Sequence, residues 1–364
     1  MRPRLSKGLA VLAVLTMTAA ACSNNDSTTG ASGSGGIQCN GDIKIGVALD
    51  VGGLGDKSFN DAAKRGLDNA IADGLVCVDN TKFIEANSTG SDRDQNIQSL
   101  ADAGYNTVVG VGFAFSPGVN EIAPDYPDVN FAVIDGYATC GTACGLTNDK
   151  LTNVADLTFK EQEGSYLVGI AAALKCGCDT IGFLGGQQGI GLIEKFEAGY
   201  TAGALSVNPK INVLVEYIGT DETAFNDAVK GEALSTKMYD DGAEIVYHAA
   251  GASGAGLFNA AVKAQKFAIG VDSDQYLTAS PDQQPWILTS MLKRVDVATY
   301  NAIKQTGEGS FITGPQVFGL AEDGLDYSKS NTEALTQDIM DQMDAAKQDI
   351  IDGKIVVPDD PTKI

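Results

Sequence analysis

The chain has 364 residues, enough for two lobes with separate cores, and its apolar fraction of 44% is ordinary for a globular protein. The formal net charge of −22 argues against nucleic acid as a partner, because a basic patch supplies most of such affinity; the acidity reads as solubility. A single His, with no G-x-x-x-x-G-K-[ST] and no G-x-S-x-G, leaves little for a metal centre, a phosphate loop or a serine relay.

The first segment, MRPRLSKGLAVLAVLTMTAAACS, has a basic start (Arg2, Arg4, Lys7), an apolar run from Leu9 to Leu15 and small residues before Cys22. This is the pattern of an export signal, with an apolar run too short to span a bilayer. Small residues before a Cys, with Ser23 next, resemble a bacterial lipobox, with Ala19 where Leu is usual. Residues 1–21 are therefore expected to be a removed signal peptide and Cys22 a lipidated first residue, which tethers the chain to the membrane on its extracytoplasmic face. Cleavage nearby to a free secreted chain is the alternative. The Ser/Gly/Thr/Asn tract from Ser23 to Gly36 buries too little apolar surface to order itself, so residues 22–40 read as a flexible linker.

From Ile43 on, short apolar runs alternate with longer segments of helical period. Strands are expected at Ile43–Asp50, Lys82–Ala86, Asn106–Gly112 and Asn130–Asp135. A second series covers Thr180–Gly186, Ile211–Gly219, Ala243–Gly251 and Lys266–Asp272. Helices are expected at Phe59–Ala72, Asp92–Ala103, Glu161–Leu174, Ile190–Leu205, Thr223–Asp240 and Gly254–Ala264. Such alternation implies right-handed crossovers and parallel sheets, and two series imply two doubly wound α/β lobes. Asn153–Phe159 is a candidate strand crossing between lobes, Trp286–Arg294 a candidate for crossing back, and Leu335–Ile355 a terminal amphipathic helix.

With Cys22 set aside, six cysteines remain, an even number in an oxidising compartment. Cys39 and Cys77 each precede a strand, and neighbouring parallel strands begin at the same edge, so these two are expected to pair. Cys140 with Cys144, and Cys176 with Cys178, share short loops and are expected to pair locally. No metal and no cofactor is expected.

Ligands of open α/β sheets sit at the carboxyl ends of strands. Those ends carry Asp50, Gly112–Phe113, Asp135, Gly185–Gly186, Tyr247–His248 and Asp272. In DVGGLGDKSFN, Ser58 is placed to cap a helix whose mouth presents Phe59 and Asn60, with Asp50 opposite. A ring plus a carboxylate suits a flat, polar-edged ligand. The competing reading makes Phe59 core and Asp50 a brace for the loop. Asp272 in GVDSDQ is suited to two hydroxyls of a ribose, or is a turn with an N-cap. Lys293 in TSMLKR either pairs with an acid in the cleft or faces water. GFLGGQQGIG and AAGASGAG allow backbone to approach a ligand closely. His248 is the lone candidate base, and Ser253 stands too near it in sequence for a relay, so the chain does not read as an enzyme.

DVGGLGDKSFNDAAKRGL, VVGVGFAF, FAVIDG, LTFKEQEGSYLVGIAAAL, IGFLGGQQGIGLIEKFEAGY, AIGVDSDQ, TSMLKRVDVATY and KQDIIDGKIVVP together resemble the basic membrane protein (BMP/PnrA-like) family of bacterial lipoproteins, over about Ile43 to Pro358. These are the substrate-binding components of ATP-driven importers. The resemblance implies a type I periplasmic-binding-protein fold, two doubly wound parallel-sheet lobes joined by three crossing strands. The expected boundaries are 41–155 and 275–310 for the N-terminal lobe, 156–274 and 311–364 for the C-terminal lobe. It also implies a nucleoside, most often a purine one, held between aromatic rings. On matching motifs, Phe59 is one stacking ring, Asp50 and Asn60 lie on the first ligand segment, and Asp135 contacts the base edge. Asp272 holds ribose hydroxyls, Lys293 is its basic partner, and Tyr247 to Gly251, with His248, falls where a second aromatic wall stands. The implied partners are an ABC permease and ATPase, the chain itself acting as a monomer. A same-fold receptor for a sugar, and an adhesion or sensor lipoprotein, are the other readings.

Overall fold

The structure is a computed structural model that describes residues 39–364. The expected signal peptide, Cys22 and nearly all of the linker lie outside them. Strands are β1 (Ile45–Leu49), β2 (Thr81–Glu85), β3 (Thr107–Val111), β4 (Asn130–Ile134), β5 (Val154–Phe159), β6 (Thr180–Gln187), β7 (Asn212–Gly219), β8 (Ile245–Ala249), β9 (Phe267–Asp272), β10 (Ile287–Lys293), β11 (Gly314–Phe318) and β12 (Leu325–Tyr327). Helices are α1 (Phe59–Ala72), α2 (Arg93–Asp102), α3 (Ser116–Ile122), α4 (Glu161–Cys176), α5 (Gly191–Val207), α6 (Ala228–Asp240), α7 (Gly254–Ala264), α8 (Gln275–Thr278), α9 (Val295–Gly307) and α10 (Gln337–Ile351).

These form two six-stranded sheets of matching order, β11-β5-β4-β3-β1-β2 and β12-β10-β9-β8-β6-β7. Neighbouring strands run parallel except that β12 runs antiparallel to β10. Central strands such as β1 and β3 are buried at every residue, as continuous apolar runs covered by helices on both faces must be. The edge strand β2 has no buried residue. Each sheet changes winding direction beside its first strand, between β1 and β3 and between β6 and β8. A doubly wound sheet opens a crevice at that point.

The chain passes between sheets three times: after Phe159, after Lys293, and between Phe318 and Leu325. This corrects the expected lobe boundaries. β10, expected with the first lobe in 275–310, pairs with β9 in the second sheet, and β11, expected with the second lobe, pairs with β5 in the first. Apolar periodicity reports that a segment is a strand; it carries no label for the sheet it joins. α9 packs on α1 and α10 on α4, so each lobe closes with a helix from the C-terminal third of the chain. Cys39–Cys77, Cys140–Cys144 and Cys176–Cys178 are all bonded as expected. The helix expected at Thr223–Asp240 is broken at Asp227, whose carboxylate accepts from the Lys230 N–H at 2.9 Å and starts α6. The residues before it, Glu222–Asn226, form a short turn of their own.

Candidate functional site

The loop after β1 sets one wall. Its cap is Asp56, whose carboxylate accepts from the N–H groups of Ser58 (2.9 Å), Asn60 (2.8 Å) and Asp61 (3.1 Å). Ser58 does not cap α1 as expected; its hydroxyl donates to Asp272 Oδ2 at 2.5 Å, from one lobe to the other. Asn60 Oδ1 accepts from the Asp50 N–H at 2.8 Å and its amide donates to Asp56 at 3.1 Å, so this side chain stiffens the loop that presents Phe59.

Between the lobes lies a cavity that is partly open to solvent. From the first lobe it is lined by Asp50, Asp56, Phe59, Asn60, Arg93, Phe113 and Asp135. From the second come Leu192, Ile193, Phe196, Glu222, Phe225, Ala249–Gly251, Asp272 and Lys293. Of the eight expected ligand residues, seven therefore share one hollow.

Asp135 and Asp272 occupy equivalent places, at the ends of β4 and β9, both with left-handed backbone (φ of 59° and 63°). Such strain in a non-glycine residue is typical of functional sites. Lys293, at the end of β10, lies 2.7 Å from Asp135 Oδ2 and 3.0 Å from Glu161 Oε1. All three side chains are essentially sealed from water, at 2%, 4% and 0% exposure. The rings of Phe59, Phe159 and Phe196 surround the ammonium at 5.3, 5.0 and 5.5 Å. Lys195 pairs with the other Glu161 oxygen at 3.2 Å. Burial pushes the Asp135 carboxyl up to about 6 and that of Asp272 up to about 7, with Lys293 pulling both back. Burial alone lowers the Lys293 ammonium, but the carboxylates of Asp135, Glu161 and Asp272 outweigh it and hold it above the usual value. Asp135 Oδ1 is buried with no hydrogen-bond partner.

A second cluster flanks the cavity. Asp50 Oδ1 accepts from Arg93 Nε at 2.7 Å and also from Arg93 Nη2, and Arg93 Nη1 reaches Glu222 Oε2 of the other lobe at 2.5 Å. Burial raises the Asp50 carboxyl, and Arg93 opposes the rise. Beside it the rings of Phe113 and Phe225 meet edge to face at 6.4 Å.

His248 is the exception among the expected residues. It is fully buried and absent from the cavity lining. Its Nε2 pairs with Gln275 Oε1 at 2.9 Å and its ring stands on the edge of Phe258. Burial lowers its pKa to about 4, so it is neutral. Tyr247 is equally remote, packed against Phe183 and Tyr200. The aromatic rings that reach the cavity beside Phe59 are those of Phe113, Phe196 and Phe225. Two glycines in the quoted loops explain the exchange: a β-carbon at Gly186 would lie 2.3 Å from the Phe225 ring, and one at Gly254 2.0 Å from the His248 ring. These glycines make room for aromatic side chains rather than for a ligand. Sequence reasoning also missed Arg93, Phe196 and Glu222. Phe225 was legible in principle only through Asp227, a residue type favoured at helix starts, which leaves the preceding residues outside the helix.

Residues 43–361 match the family described as ABC transporter substrate-binding protein PnrA-like. The chain belongs to that family. It is 34% identical to the ABC transporter nucleoside-binding protein BmpA of Lactococcus lactis, over 96% of each chain. It is 32% identical to the CD4+ T-cell-stimulating antigen of Listeria innocua, over 90% of this chain and 91% of the relative. A solute-binding protein of an ABC transporter system from Aeropyrum pernix superposes with a TM-score of 0.73 at 28% identity, covering 87% of this chain and 94% of that one. As a PnrA-like protein the chain is the substrate-binding component of an importer, not an enzyme, and works with a permease and an ATPase.

Proposed function

We propose that this chain captures a purine nucleoside in the cleft and hands it to its permease. The base lies in the slot made by Phe59, Phe113 and Phe225, and the ribose hydroxyls donate to Asp272 and Asp135. The observation that carries the reading is one strand-end carboxylate from each lobe on the same cavity, Asp135 paired with Lys293 and keeping an oxygen without a partner, Asp272 bonded to Ser58, with Phe59, Phe113 and Phe225 on the same lining. A relative with nearly full coverage is named as nucleoside-binding, which supports the ligand class. The lining carries five carboxylates against two cations, a setting for neutral ligands rich in O–H and N–H donors and hostile to phosphate. Closure follows from ligand contacts to both lobes. Lipidation at Cys22 holds the protein on the extracytoplasmic face, as a monomer. Among the described residues no helix is long and apolar enough to cross a membrane.

Calorimetric titration of inosine, guanosine, adenosine, hypoxanthine and ribose tests this. Nucleosides should bind, with affinity on the order of −8 kcal/mol, and ligand at 100 times its dissociation constant should stabilise the fold by about 2.7 kcal/mol. Asp272→Ala should weaken nucleosides by roughly 10–150-fold per lost charged hydrogen bond, and the free base far less. Binding of ribose or another sugar without any nucleoside would overturn the reading in favour of a sugar receptor.

A further inference from the structure

We infer that Arg93 and Glu222 form a latch across the mouth of the cleft and so set how long the ligand stays; this rests on two-lobed capture, not on which solute is captured. Arg93 is the first residue of α2 and is anchored within its own lobe. Its Nε and Nη2 donate to Asp50, Nη1 reaches the Gly90 carbonyl at 3.3 Å, and the Phe115 ring lies 5.8 Å from the guanidinium carbon. The planar fork is thereby aimed, and its outer nitrogen meets Glu222 of the second lobe. Glu222 sits on the short turn between β7 and α6, which Asp227 ends, so its carboxylate moves with the second sheet.

This pair shares no partner with the Lys293 cluster. Exposure separates them further: Lys293 is 2% exposed and lies at a chain crossing, whereas Glu222 is 30% exposed. Arg93, Glu222, Phe113 and Phe225 all line the cavity, and the Arg93–Glu222 pair joins its two lobes away from the Lys293 cluster at the chain crossings. Every partner in this span is a protein group, so part of the free energy of closure does not depend on the ligand. Arg93 is buried but Glu222 is partly exposed, so salt reaches the pair from the Glu222 side and screens it.

Small-angle scattering of the mature chain, with no solute added, compares wild type with Glu222→Gln and Glu222→Lys. The radius of gyration should rise modestly in the first and more in the second, where like charges face each other. Inosine release from immobilised protein should be about 2–5-fold faster in Glu222→Gln. Raising salt from about 0.05 to about 0.5 M should speed release from wild type and not from the variant. Superposable scattering from all three proteins, or an identical salt response, overturns the latch. If inosine does not bind wild type, the nucleoside reading fails while scattering still decides the latch.

Discussion

Replacing Lys293 by Met should destabilise the protein in a way that shrinks on acidification. Met keeps the length and apolar stem that fit among Phe59, Phe159 and Phe196 and deletes only the charge. The ammonium makes two sealed ion pairs, at 2.7 and 3.0 Å. Breaking a buried pair from one side leaves an uncompensated charge and costs roughly 3–5 kcal/mol, or about 4–7 °C in melting temperature for a domain of this size. The pH dependence follows from the carboxyls. Asp135 and Asp272 have folded-state values raised to about 6 and about 7, above the ordinary 3.8. A carboxyl raised in this way contributes stability that is present below its ordinary value and is lost as pH rises through the folded one. Lys293 lowers both, so without it both rise further, and each tenfold loss of acidity adds about 1.4 kcal/mol to the gap at pH 8. At pH 5 the two carboxyls are mostly neutral in either protein and the missing cation matters less. Urea denaturation of both proteins at pH 5 and pH 8 measures this. A gap equal at the two pH values, or larger at pH 5, would refute the assignment of Lys293 as the counter-ion of that pair.

Two further outcomes follow from the same geometry. Phe225→Ala should weaken nucleoside binding by about 1–3 kcal/mol, the usual worth of one aromatic face to a base, with little change for free ribose; an equal loss for both would remove Phe225 from the base slot. Nucleoside affinity should fall as pH drops from 8 to 5, because hydroxyl donors favour ionised carboxylates and Asp272 and Asp135 take up protons through about 7 and about 6. Titration in two buffers of different ionisation enthalpy should show proton release on binding at pH 6.5, and proton uptake would contradict the hydroxyl–carboxylate contact.

The alternating lobes were legible because buried parallel strands read as unbroken apolar runs and their helices as period-3.6 stretches. α1 and α7 fall where expected to the residue. Strand-end carboxylates were legible for the same reason, since a strand that can be located has an end that can be located. What stayed hidden depends on side-chain direction and sheet membership. Tyr247 and His248 are neighbours on β8 and point to opposite faces, and both faces are core, so neither reaches the cleft. Arg93 looks like an ordinary polar helix start until α2 is docked beside Asp50. β11, with Pro315 and an exposed, weakly apolar run, and the three-residue β12 could not be seen as strands, so although the resemblance gave the right number of crossings, the segments between them were assigned to the wrong lobes.

On the proposed function, the Lys293 cluster also ties part of closure to binding. Lys293 is the last residue of β10, just before the second crossing, and Glu161 lies two residues after Phe159, where the first crossing begins. Lys195 donates to the Phe159 carbonyl at 3.2 Å as well as pairing with Glu161, so the two crossings are cross-braced by the same charges. Asp135 brings the first lobe to that brace, and Ser58 brings it to Asp272. A ligand that donates hydrogen bonds to Asp135 and Asp272 keeps both ionised, and two ionised carboxylates hold Lys293 more tightly than half-protonated ones do. Ligand therefore stiffens the hinge through the groups it touches, with no separate relay needed. Lys293→Met should for that reason weaken binding and broaden the distribution of lobe angles together, whereas Phe225→Ala should weaken binding alone.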